Sequence, residues 1–299
     1  MPTADGAFLA MMDLGFWAPV ICAGAVAGGS TGLTGVYIVG MRIPFLGVCT
    51  AHAALAGGVF GALAGLTGVA LLGPALAAAA ATALLLGLLD PQAARIDANV
   101  LLGLLFSLTM GLAFLGLGLF SRYGISDNEV RSLLWGSLMF CRWSDFAVMA
   151  GAAGVQLAFL GTLGKEMRAI MFSREHARAA GVRVRLVWTA FLVITAAVLT
   201  VNFRTVGGLM LFSLIANPAA AAFQLVRGHG KALALATAIG AVSGVGGFLI
   251  AAAWDLPTGP MIVILSSAFV ALSACARVLP RRRRGNDRPD SLASASRSA

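Results

Sequence analysis

Charge is missing from very long stretches of this chain, and that absence constrains what it can fold into more than any motif. Phe45 to Leu89, Ala98 to Phe120 and Leu233 to Ala253 contain no Asp, Glu, Lys or Arg. A hydrocarbon core about 30 Å thick is crossed by roughly 20 apolar residues in a helix. The whole chain of 299 residues is 11% charged and 59% hydrophobic, whereas soluble domains carry about 25% charged residues. Disordered chains are poor in apolar residues, and the strands of membrane barrels alternate polar with apolar, which these runs do not. The fold class expected is therefore all-α, a polytopic membrane bundle.

Nine spans are expected. They are Leu14 to Gly40, Phe45 to Leu72, Pro74 to Leu89, Ala98 to Phe120, Ser144 to Leu163, Leu186 to Val201, Val206 to Val226, Leu233 to Ala253 and Pro260 to Leu279. The apolar stretch Asn128 to Cys141 is short and carries Glu129 and Arg131, so it reads as a helix on or partly in one surface. Residues 1–279 form the transmembrane domain in this reading, and 280–299, rich in Ser, Arg and Asp, a disordered basic tail. No cleavable signal is expected, because the N-terminus has no basic region and its first apolar run is too long.

The net charge of +9 resembles a nucleic-acid signature until it is located. Gly164 to Arg185 holds an excess of +4, Arg277 to the end an excess of +5, and the remainder is neutral. Basic residues gathered in one loop and one tail follow the positive-inside rule, so nucleic acid is not an expected partner. With the tail in the cytoplasm, Arg42, the Asp90–Asp97 loop, the Gly164–Arg185 loop, Arg227 and Lys231 all fall inside, and the N-terminus falls outside. Arg204 and the Arg122–Arg142 segment are exceptions. Four scattered cysteines give no disulfide framework.

Gly24, Gly28 and Gly32 recur every four residues, as do Gly57, Gly61 and Gly65. Small residues at that spacing let helix backbones approach closely in lipid. They point to a tight bundle without naming its cargo.

Chemistry has few places to sit. No phosphate-binding loop of the form G-x-x-x-x-G-K-[ST] is present, so the chain is not expected to hydrolyse ATP; an enzyme is not expected either, and no cofactor. No Asp or Glu falls mid-span, where ion-coupled carriers usually keep one. His52 lies ten residues after Arg42, and at about 1.5 Å per residue that places it roughly 15 Å deep. Cys49, three residues earlier, shares its helical face. An imidazole and a thiolate can together contact a soft or borderline metal ion; the alternative is a histidine satisfied by a neighbouring carbonyl. Asn217-Pro218 falls mid-span, where proline removes a helical hydrogen bond, and a kink or broken helix beside a transport path is expected there. In the cytoplasmic loop Phe172–Val182, Ser173 can cap a short helix, Glu175 suits its first turn and Gly181 can end it. Such a helix suits docking of a soluble partner, or a lipid surface with snorkelling arginines.

These three features occur in the same order in one known family. The chain resembles the permease subunits of ABC transporters that import zinc, manganese or iron. Met41-Arg42, Leu46-Gly47 and His52-Ala53-Ala54-Leu55-Ala56-Gly57 are similar to the family's opening motif. Glu175 to Val182, ending Ala179-Ala180-Gly181-Val182, resembles its ATPase-docking loop. Val206-Gly207-Gly208 through Pro218-Ala219-Ala220-Ala221-Ala222 resembles its late membrane segment, and the likeness covers most of residues 15–255. The resemblance implies a homodimer in the inner cell membrane, two cytoplasmic ATPase subunits and an extracytoplasmic metal-binding protein. It implies metal contact at His52, with Cys49 beside it, ATPase docking through Glu175, Ala177, Ala180 and Gly181, and a pathway element at Asn217 and Pro218. The family's usual aspartate four residues before the histidine is Val48 here, and its serine is Ala51. A lost carboxylate removes a hard ligand that manganese prefers more than zinc does. The rival class is a stand-alone secondary carrier. A membrane-embedded enzyme would need clustered ionisable groups, and the three histidines lie far apart.

Overall fold

The computed structural model describes residues 14–89, 97–124 and 138–286. Every regular element among them is helical. The first half contains α1 (Leu14–Gly40), α2 (Phe45–Leu63), α3 (Leu72–Leu88) and α4 (Ala98–Tyr123). The second contains α5 (Trp143–Phe172), α6 (Arg174–Ala179), α7 (Val184–Val206), α8 (Gly208–Leu225), α9 (His229–Trp254) and α10 (Thr258–Asn286). Eight of these helices are long and apolar enough to cross a membrane, and α8 contributes a shorter apolar stretch, Leu211–Leu225.

The centre of the bundle is the pair α1 and α9, whose contact is the most extensive in the molecule. Gly24 and Gly28 of α1 face Gly244 and Gly240 of α9, and Gly32 faces Ala236, backbone against backbone. A side chain at Gly28 would fall on the Gly240 carbonyl. The glycine spacing of α1 is therefore the surface that lets the two helices meet. Gly57 and Gly61 likewise admit α3 at Pro74. Gly65 does something else: with φ +83° it terminates α2, and Leu66 N–H returns to the Gly61 carbonyl at 3.1 Å. The expected span Phe45 to Leu72 thus ends at Leu63, and Gly68–Leu71 forms a 3-10 turn leading into α3. A left-handed glycine after the last turn stops a helix whatever the polarity of the residues beyond it.

Helix ends elsewhere also differ from the apolar runs. α5 continues beyond Leu163, where φ −109° and ψ 16° mark a bend, and reaches Phe172. α10 continues past the boundary expected at Leu279 and reaches Asn286; the rest of the tail lies outside the described residues, as do residues 1–13. Of the expected surface helix Asn128 to Cys141, residues 128–137 are also outside them, and Leu138–Phe140 is a 3-10 turn.

The core surrounds α2, α3 and α7, with Tyr37, Leu46, Leu55, Phe191, Leu192 and Leu199 buried in it. Large apolar side chains on α4 and α5, among them Leu104, Leu108, Leu115, Val155 and Leu157, are exposed. In water that would be a liability; in a bilayer it is the ordinary outer surface. Five threonines within the helices satisfy themselves: the hydroxyls of Thr31, Thr50, Thr82, Thr109 and Thr200 each donate to the carbonyl four residues back. These hydroxyls are buried inside the bundle, where an unpaired polar group would be costly.

Candidate functional site

His52 lies near the middle of α2, packed edge-on against Phe106 of α4 with ring centroids 4.9 Å apart. The imidazole is half-buried. Its Nδ1 is buried with no hydrogen-bond partner. The bland alternative, a histidine satisfied by a neighbouring carbonyl, is therefore not what the structure contains. Val48, one turn earlier, is half-buried like His52. Cys49 is not: at 0% exposure it is enclosed in the main apolar core. The two residues that spacing placed on one face differ in accessibility, because the core-facing edge of that face is closed by neighbouring helices while the other edge is open. Among the described residues no three His, Cys, Asp or Glu side chains come close enough together to hold a metal ion. One chain thus offers His52 without a completed ligand set.

The short helix expected in Phe172–Val182 forms with its caps. Ser173 Oγ accepts the His176 N–H at 3.3 Å, capping α6. Gly181, at φ +82°, ends the turn, with Val182 N–H donating to the Ala177 carbonyl at 3.0 Å. Glu175, Ala180 and Gly181 are exposed. Ala177 differs from them: at 1% exposure its side chain faces the bundle. The Arg174 guanidinium sits 4.6 Å from the centre of the Trp188 ring of α7, a cation–π contact that ties the start of α6 to the helix after it. The sequence holds Arg174 and Trp188 fourteen residues apart, and no periodicity links them.

Of the kink or broken helix expected at Asn217-Pro218, the break is absent: Pro218 lies inside its helix. α8 is continuous from Gly208 to Leu225 with Pro218 inside it. The neighbouring turn is braced on both sides. Gly32 and Gly35 of α1 let α8 come close at Pro218 and Ile215. Asn217 Nδ2 donates to the hydroxyls of Ser266 and Ser267 on α10 at 3.1 and 3.0 Å. The interruption falls instead at Gly207, φ 95° and ψ 141°, the one residue between α7 and α8.

Two arrangements escaped the sequence reading. The first is a buried polar node. Gln156 of α5 donates to the Ser30 carbonyl of α1 at 3.1 Å and to the Thr34 hydroxyl. Asn202 of α7 donates to Ser30 Oγ at 3.0 Å. Gln156 and Asn202 are 2% and 1% exposed, and Gln156 Oε1 has no partner. Isolated amides in apolar runs were the available signal. The second is an ion pair, Arg204 with Asp145 at 4.0 Å. It explains an exception to the charge rule: Arg204 is held at its end of the bundle by a carboxylate on the neighbouring helix. The described acidic residues, Asp97, Asp145, Glu166, Glu175 and Asp255, all lie at or near helix ends or in connections.

This architecture defines a class: a multi-pass helical membrane protein with a short capped helix between two of its spans and no cluster of three metal-ligating side chains among the described residues. A family profile described as the ABC 3 transport family matches residues 13–277. The chain belongs to that family, as a membrane permease and not an enzyme. It is similar to the manganese transport system membrane protein MntC of Listeria innocua, 25% identical over 86% of this chain and 89% of that one. It is similar to the high-affinity zinc uptake system membrane protein ZnuB of Haemophilus influenzae, 23% identical over 85% of this chain and 95% of that one. The chelated iron transport system membrane protein YfeD of Yersinia pestis is 27% identical, but the match spans 60% of this chain and 59% of that one. Among solved structures, PsaBC from Streptococcus pneumoniae in complex with Fab has a TM-score of 0.77 at 19% identity, covering 91% of this chain and 95% of that chain. That likeness concerns the fold.

Proposed function

We propose that this permease conducts a divalent metal ion of the zinc, manganese or iron class inward, as a homodimer driven by two cytoplasmic ATPase subunits and fed by an extracytoplasmic metal-binding protein. Nine spans, an outer N-terminus and an inner C-terminus are part of this reading. The observation that carries the cargo assignment is His52, whose Nδ1 is buried without a partner mid-helix. An imidazole nitrogen that no protein group satisfies is available to an ion. Completion of the ligand set by a second copy and by water would hold the ion weakly enough to release it. Val48 in place of a carboxylate makes the site softer and favours zinc over manganese. Cys49 enters only if α2 rotates, since it is enclosed.

Three relatives whose names specify manganese, zinc and iron support the cargo class. Glu175, Ala180 and Gly181 supply the exposed ATPase contact in this reading, with Ala177 holding the loop in place. Uptake of radiolabelled zinc and manganese by whole cells tests it. His52→Asn, which keeps hydrogen-bonding capacity, is expected to lose most uptake. Parental uptake in that variant would make His52 a packing residue. A secondary carrier would instead stop when the ion gradient is collapsed and continue without ATP.

A further inference from the structure

On the outer surface of the bundle, the C-terminal half of α3 and the N-terminal half of α7 leave an open groove of about 670 Å³. Its length is apolar, formed by Leu84, Leu88, Leu186 and Val193. Leu84, Leu88 and Leu186 remain 42, 58 and 60% exposed. Cations occur at one end alone: Arg183 and Arg185, both exposed, border the groove where α7 begins. Among the described residues neither arginine side chain pairs with a carboxylate or makes a hydrogen bond.

We propose that this groove holds one anionic phospholipid of the cytoplasmic leaflet, its acyl chain along the leucines and its phosphate between Arg183 and Arg185. The leaflet assignment rests on the orientation given under Proposed function; the site itself does not. The polarity pattern is that of an amphiphile, with walls that are apolar except for Thr189 and charge at a single end. Both walls are membrane-crossing helices, so the groove opens sideways, where only lipid is in supply. Its volume lies within the range of about 300–1,000 Å³ that ordinarily encloses one small ligand. Basic pockets between helices on the cytoplasmic side select anionic head groups, and guanidinium binds phosphate oxygens in a two-pronged geometry that ammonium cannot copy. The N-terminal end of the α7 dipole adds partial charge of the same sign. A lipid head group seated there also borders the turn at Gly181 that ends α6, and so braces the base of the docking loop.

The full chain, stripped of lipid in detergent, is offered phosphatidylglycerol or phosphatidylcholine with matched chains, and retained lipid is counted by native mass spectrometry. One phosphatidylglycerol per chain is expected, with roughly a five-fold or greater preference over phosphatidylcholine. The double variant Arg183→Gln/Arg185→Gln is expected to lose the preference while unfolding at the parental temperature, since both side chains are exposed. Ala190→Trp, which fills the groove, lowers retention of both lipids. Inorganic phosphate and glycerol phosphate, added as competitors, leave the bound lipid in place. Equal retention of the two lipids, a preference that survives in the double variant, or displacement by either soluble phosphate would each overturn the proposal. Binding in detergent depends on neither orientation nor cargo, so its failure leaves the permease reading intact, and normal uptake by His52→Asn leaves the lipid site intact.

Discussion

Replacing Gly28 with alanine tests the central helix pair with one methyl group. The added Cβ would fall on the Gly240 carbonyl oxygen and lie 2.5 Å from its carbon and 3.1 Å from the Ala241 nitrogen. All three are backbone atoms, so no side chain can turn aside. Ordinary contact begins at 3.4 Å, and α1 and α9 would have to part by about 1 Å, forfeiting dispersion along the whole seam. Overpacking of this kind costs typically about 1–3 kcal/mol. Against it stands the better helix propensity of alanine, about 1 kcal/mol. A net loss of up to about 2 kcal/mol remains. Gly111 of α4 provides the control, because a Cβ there meets nothing within 4 Å. Gly111→Ala keeps the propensity gain of up to about 1 kcal/mol and has no clash. Thermal unfolding of both purified variants in one detergent, at one scan rate, should move in opposite directions from the parent. If both variants shift upward by similar amounts, the α1–α9 contact is looser than described and the reasoning fails.

Further outcomes follow from other positions. Gly181→Leu places a bulky side chain at φ +82°, a conformation costing roughly 1–2 kcal/mol for L residues; ATP hydrolysis by the assembled transporter should continue while metal uptake falls, and fully coupled uptake would remove the docking role. Glu175→Arg reverses an exposed charge on the same helix and should also uncouple, without lowering the amount of protein in the membrane. Asn202→Leu leaves Ser30 without its donor and should destabilise by about 1–3 kcal/mol, measured as a lower unfolding temperature; an unchanged temperature would show the polar node to be dispensable. A membrane-impermeant thiol reagent should label cysteine at Asp5 in intact cells and cysteine at Asp290 only after the inner face is opened. Protection at both would change the span count by one.

Much of the fold could be read from where charge is absent, because hydrocarbon tolerates little else than apolar helix. The closeness of α1 to a partner was also readable from Gly24, Gly28 and Gly32, but not that the partner was α9. Residue type alone did not separate Gly61 from Gly65: they share a spacing, yet one admits Pro74 and the other reverses the chain. Whether Pro218 would break its helix was not legible, because the intrinsic cost of proline is local, whereas the close packing against α8 comes from α1. At the docking loop the caps Ser173 and Gly181 were legible, being sequence-local. The phase of a six-residue helix was not, and so Ala177 and Ala180 could not be told apart until burial separated them. The mid-helix position of His52 was legible from depth, but Cys49 shared its face without sharing its accessibility.

The one-residue joint at Gly207 has a mechanical consequence. A longer loop would let two helices slide independently, each taking up the other's displacement as slack. Here Val206 closes one helix and Gly208 opens the next, and Gly208 is itself pressed against the Phe203 ring. Only the two soft torsions of a single residue separate the rod that begins beside the docking loop from the helix that carries Asn217. A push along α7 has no reservoir to absorb it. It must either swing α8 about that elbow or be returned to its source.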